Sequence, residues 1–104
     1  MQTVLIDKFA VPKESRVAFL ETSRKIQSVL KTLPGFVEGF IYEKRDGAGH
    51  DDIITTAVWD TEEAYDNAKK SMAGRFQELG LNPQEIMRSL NVQVERGVYG
   101  RSPY

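Results

Sequence analysis

Ile53-Ile54-Thr55-Thr56-Ala57-Val58-Trp59-Asp60-Thr61-Glu62-Glu63-Ala64-Tyr65 is the stretch on which the fold turns, because a strand ending in the only Trp runs straight into a helix start. Residues 53–59 are β-branched, small or aromatic throughout, the composition of a strand covered on both faces. Asp60 fits an N-cap, with Glu63 completing a capping box and Glu62 and Glu63 matching the positive end of the helix dipole. Trp59 therefore stands at the carboxyl end of a strand beside a helix start, a place that serves equally as a pocket wall or a core anchor.

Upstream of this corner, Thr3 to Val11 is rich in Val, Ile, Leu and Phe and reads as the first strand. One face carries Leu5, Asp7, Phe9 and Val11, so Asp7 lies in line with three apolar residues. A carboxylate in that place is either an edge residue, a charge paired with an Arg from elsewhere, or a polar group lining a cavity. Pro12 suits the first turn of a helix running from about Lys13 to Leu33, where Phe19, Ile26, Leu30 and Leu33 form an apolar stripe widened by Val17 and Leu20. Ser23 takes a stripe position where an apolar residue is expected, and either makes room for a ligand or back-bonds to the helix. Pro34-Gly35 stops the helix.

Phe36 to Lys44 is the second strand, with Phe36, Phe40 and Tyr42 on one face and Val37 and Ile41 on the other; Gly39 suggests a bulge or a close backbone approach. Residues 45–52 form a polar, Gly-rich hairpin loop in which His50 stands beside Asp51 and Asp52, a grouping that exposed loops collect without binding metal. Downstream of Trp59, a helix from about Thr61 to Leu79 is marked by Ala64, Ala68, Met72 and Phe76, with Tyr65 flanking, Gly74 a kink position and Gly80 a stop. Asn82-Pro83-Gln84-Glu85 starts a short helix to Leu90, and Val92 to Tyr99 alternates as the last strand.

At 104 residues the chain is a single domain, 1–104 with its core at about 3–100, and 40% hydrophobic against 28% charged residues is globular composition. Fourteen basic and fifteen acidic residues leave a net charge of −1 and no basic stripe for a phosphate backbone, which argues against nucleic-acid binding. The absence of Cys and the single His remove disulfides, thiolate chemistry and His-rich metal sites, so no metal is expected. No apolar run approaches the ~20 residues that span a bilayer. The expectation is a cytoplasmic protein with no membrane segment.

The order β-α-β-β-α-(α)-β is the α+β, ferredoxin-like split βαβ arrangement, a four-stranded antiparallel sheet with helices on one face. Its other face carries apolar side chains with no helix to cover them, and a second copy of the chain is the economical cover. The element order, the Leu33-Pro34-Gly35-Phe36 junction and the Trp59-to-Tyr65 corner resemble the antibiotic biosynthesis monooxygenase family of the dimeric α+β barrel superfamily, over roughly residues 3–100. The resemblance implies a homodimer whose two sheets face each other as a barrel, with a pocket in each subunit between sheet and helices. Members include cofactor-independent oxygenases of polycyclic phenols and quinone precursors, and haem-degrading enzymes.

Trp59 and Tyr65 match the aromatic pair lining the pocket of the quinone-forming oxygenases; Thr55 stands where those enzymes have an Asn, and Arg75 and Arg88 are candidates for their substrate-holding Arg. Haem degraders use an Asn on the first strand and a His on the second helix; here Asp7 stands near the first and no His follows His50, which speaks against haem degradation. The reading is a cofactor-independent monooxygenase of a phenolic or quinone-precursor aromatic. Asp7 is the base, Trp59 and Tyr65 stack on the ring, Thr55 and the Tyr65 hydroxyl bond an oxygen, Ser23 gives room and an Arg holds the anion. The alternative is a dimeric ligand-binding or interaction module without turnover, in which Trp59 plugs the core and Tyr65 packs helix onto sheet.

Overall fold

The computed structural model describes residues 1–45 and 51–104. Strand β1 (Thr3–Val11) follows the alternation of its sequence, with Thr3, Leu5, Asp7, Phe9 and Val11 buried and the residues between them half-buried or exposed. A 3-10 turn, Lys13–Ser15, leads into α1 (Arg16–Leu30); β2 (Phe36–Glu43), β3 (Asp51–Trp59), α2 (Glu62–Glu78), α3 (Pro83–Ser89) and β4 (Gln93–Gly100) complete the chain. The strands form one antiparallel sheet in the order β2-β3-β1-β4, the ferredoxin-like arrangement expected from the sequence. No helix among the described residues is long and apolar enough to cross a membrane. His50 and most of the loop before β3 lie outside the described residues.

Several local expectations are corrected. Thr61, not Asp60, caps α2: its extended backbone lets Oγ1 accept from Ala64 N at 3.0 Å, while the Asp60 N–H donates to the Gly35 carbonyl at 2.8 Å. That second bond ties the Pro34-Gly35 turn to the Trp59 corner, and Gly35 holds φ 83° there with Ala64 packed where a Cβ would project. Helix α1 is shorter than its pattern: after Leu30 the chain closes through i to i−3 bonds from Thr32 to Val29 and from Leu33 to Leu30. Val17 is 70% exposed, because two residues of helix turn it about 200° away from Phe19. Helix α2 runs through Gly74 without interruption and ends at Gly80, φ 65°, where Gly80 N bonds Gln77 O and Leu81 N bonds Phe76 O in a Schellman closure.

On β2 the bulge falls between Phe36 and Glu38, not at Gly39, and it reverses the facing of everything before it. Phe36 thus joins Trp59 on the helix side, while Phe40 and Tyr42 point to the opposite face. Gly39 is instead a point of close approach, where a Cβ would fall 2.5 Å from Gln27 Oε1 and 2.7 Å from the Thr56 carbonyl. The face without helices exposes Phe40, Tyr42 and Tyr99. The Tyr99 ring lies across Gly97, occupying the space a side chain there would need.

Candidate functional site

Register places Ile41, Thr55, Asp7 and Arg96 side by side across the four strands, on the face that carries the helices. This row divides the core. On one side Leu5, Leu30, Leu33, Ala57, Trp59, Tyr65 and Ala68 pack together; on the other, Phe9, Val11, Phe19 and Ile53. Helix α1 repeats the division in the layer above, since the buried stripe Phe19, Ser23, Gln27 and Leu30 is polar only in its middle. Between the two apolar clusters lies a cavity of about 970 Å³, at the upper end of the range of ~300–1,000 Å³ usual for ligand pockets.

Asp7, Ser23, Thr55, Trp59 and Tyr65 all line this cavity; Arg75 and Arg88 do not. Arg75 is exposed and donates to Thr32 Oγ1 at 3.1 Å, and Arg88 is exposed on α3. The cavity's guanidinium is Arg96, on β4 directly beside Asp7, donating from Nε to Oδ1 at 2.8 Å and from Nη2 to Oδ2 at 3.0 Å. This bidentate pair neutralises a carboxylate that is nearly all buried. The Asp7 hydrogen bond raises the Arg96 pKa above its usual value against the opposing effect of burial, with smaller electrostatic contributions from Asp7 and Tyr65.

Trp59 is among the residues lining the cavity. Its indole has no exposed surface, meets Phe36 edge-on at 5.3 Å and lies 6.5 Å from the Tyr65 ring. Its Nε1–H and the Gln27 Oε1 are buried without hydrogen-bond partners among the described residues, and each such group costs about 1–3 kcal/mol. Gln27 reaches the wall by donating from Nε2 to the Thr56 carbonyl at 3.2 Å. Tyr65 comes from the first turn of α2, and Lys69, one turn later, sets its Nζ 4.7 Å from the centre of that ring. Among the described residues no three His, Cys, Asp or Glu side chains group as metal ligands.

Three residues of the site went unread in the sequence. Arg96 sits within the apolar alternation of its strand just as Asp7 does, and Gln27 falls four residues after Ser23 on the buried stripe, so both carried a signal. Lys69 looked like any exposed helical lysine.

The sequence matches the family described as antibiotic biosynthesis monooxygenase over residues 2–78. The chain belongs to that family. A search of curated proteins by sequence returned no match. Among solved structures, a variant of SnoaB from Streptomyces nogalater, described as a cofactor-independent oxygenase, is 17% identical with a TM-score of 0.73, covering 99% of this chain and 95% of that one. A protein of Shewanella loihica PV-4 is 19% identical with a TM-score of 0.75, covering 99% and 96%. Rv0793 from Mycobacterium tuberculosis is 13% identical with a TM-score of 0.74, covering 100% and 98%. At these identities the likeness is one of fold, and the monooxygenase family's matched stretch ends before α3 and β4, so Arg96 lies beyond it.

Proposed function

We propose that this chain is a cofactor-independent monooxygenase that oxidises a phenolic or quinone-precursor aromatic in the cavity between sheet and helices. The observation carrying this reading is the cavity itself, with a buried carboxylate, a guanidinium and two aromatic rings in one wall system. The substrate supplies the electrons. Asp7 takes one of the two protons of an acidic ring methylene, using lone pairs that Arg96 leaves free, and the guanidinium then faces the anion so formed. The anion passes one electron to dioxygen, the two radicals combine at that carbon, and the peroxide takes up the proton and loses water to leave a carbonyl. Thr55 and the Tyr65 hydroxyl hold the substrate oxygen, and Tyr65 stacks on the ring. To reach Trp59 the substrate displaces a covering side chain, and Met72, flexible and packed against that cluster, is suited to give way.

The active form in this reading is a homodimer in which a second copy covers Phe40, Tyr42 and Tyr99. Light scattering is expected to give twice 11.8 kDa at micromolar concentration. Oxygen uptake with a hydroxyanthrone tests the chemistry, a catechol without a ring methylene being expected not to react: Asp7→Asn is expected to lower the hydroxyanthrone rate by about 10²-fold or more. Activity that survives both Trp59→Phe and Asp7→Ala removes the proposed site. The fully covered indole favours a second reading, a ligand-binding module without turnover, for which the same probes bind and no oxygen is consumed. Haem added to the protein is expected to leave the Soret band unshifted.

A further inference from the structure

The chain has three methionines and no cysteine, so its only sulfur is thioether sulfur. Met1 is 92% exposed. Met72 and Met87 are half-buried, and both line the cavity. They fall on opposite sides of the row that carries Asp7 and Arg96: Met72, from α2, packs against the cluster of Trp59 and Tyr65, and Met87, from α3, against the cluster of Phe9 and Phe19. A thioether is soft, flexible and readily oxidised. A hydroperoxide formed beside Asp7 therefore has an oxidisable side chain in the wall on either side.

We infer that Met72 and Met87 are oxidation sites, taking an oxygen atom from the ring hydroperoxide on turnovers in which it does not lose water, and that their oxidation ends turnover. This rests on the reading of the cavity as an oxygenase site. The O–O bond of the hydroperoxide breaks as an S–O bond forms. The outer oxygen passes to sulfur, its proton goes to the oxygen left on the ring, and the ring keeps a hydroxyl in place of the carbonyl. Sulfur loses two electrons and the peroxide gains them, so no further reductant enters. Each sulfoxide then puts a polar S=O group where an apolar side chain stood. The two clusters that hold an aromatic ring become polar at the cavity, and the rate falls with the number of turnovers completed.

The test uses the full chain turning over the hydroxyanthrone in air, with catalase present to destroy peroxide free in solution. Each methionine is read by peptide mass spectrometry as a gain of about 16 Da per oxygen. Sulfoxide at Met72 or Met87 is expected to exceed that at Met1 by about threefold or more, whereas hydrogen peroxide added without substrate or catalase should give the reverse order, since oxidation from solution follows exposure. The double variant Met72→Leu, Met87→Leu, close in volume and unable to take up oxygen, is expected to keep its own initial rate for about threefold more turnovers. Four results overturn the inference and leave the oxygenase reading standing: oxygen uptake with both side chains unmodified, sulfoxide at Met72 and Met87 no greater than at Met1, oxygen carried instead by Trp59 or Tyr65, or a double variant that declines as steeply as the native chain. No oxygen uptake at all overturns the oxygenase reading and this inference together.

Discussion

Two helices of similar length lie on the same face of the sheet and hold it in different ways. Helix α1, with 15 residues, buries five of them, from Phe19 to Leu30; α2, with 17, buries only Tyr65 and Ala68, both in its first two turns, and α3 buries none. A helix buried along its length and a helix buried only near its start leave the later part of α2 less closely covered, and there Met72, Ala73, Phe76 and Gln77 line the cavity. The second half of α2 keeps Met72 and Phe76 only half-buried over it. The apolar surface that α2 leaves unburied is what a ligand can cover.

The sharpest way to break this contrast is to make the same truncation on each helix. Phe19→Ala is expected to cost about 3–5 kcal/mol in urea unfolding, because Phe19 is 2% exposed and meets the Phe9 ring at a tilt, 4.8 Å between centres. Phe76→Ala, at a half-buried place beside the cavity, is expected to cost less than about 2 kcal/mol, and equal losses would mean that α2 is held as firmly as α1. Next in size, Gly80→Ala places an L-residue at φ 65° with nothing within 4 Å of the new Cβ, so conformation alone sets a cost of about 1–2 kcal/mol. Thr61→Ala removes the cap at the pinned end for about 1 kcal/mol. Hydrogen exchange should then rise in residues 72–78 more than in 26–30. Ser23→Leu has the smallest expected effect on stability, within about 1 kcal/mol, yet it fills the cavity from the α1 side and should abolish oxygen uptake with the hydroxyanthrone.

The strong corner at Trp59 made the fold legible, since strand composition, cap chemistry and acidic first turn all point the same way there. Boundaries were less so. Asp60 and Thr61 are both good caps, and the choice between them depends on the Gly35 carbonyl, far away in sequence. The facing of Phe36 depended on a bulge that the sequence does not mark. In the site, polar residues standing in apolar patterns, Asp7 and Ser23, were readable as departures from periodicity. Arg96 made the same departure but gained meaning only from its partner 89 residues earlier, a pairing created by strand order and invisible to any local pattern. Arg75 and Arg88 stand exposed on the helices, whereas a guanidinium in the sheet beside Asp7 reaches the cavity with less chain to immobilise.

The pairing of the second-to-enter charge with the first has a consequence for synthesis. Asp7 leaves the ribosome with the opening strand, and its counter-ion follows on the closing one. Until β4 docks, β1 is an edge strand and Asp7 has no counter-ion, so a chain that closed its core fully over Asp7 at that stage would bury a carboxylate alone, at a penalty on the order of 3–5 kcal/mol. The final strand therefore acts as a completion check on the nascent polypeptide: a prematurely terminated product that stops before Arg96 should remain open to chaperones and proteases instead of persisting as a compact fragment.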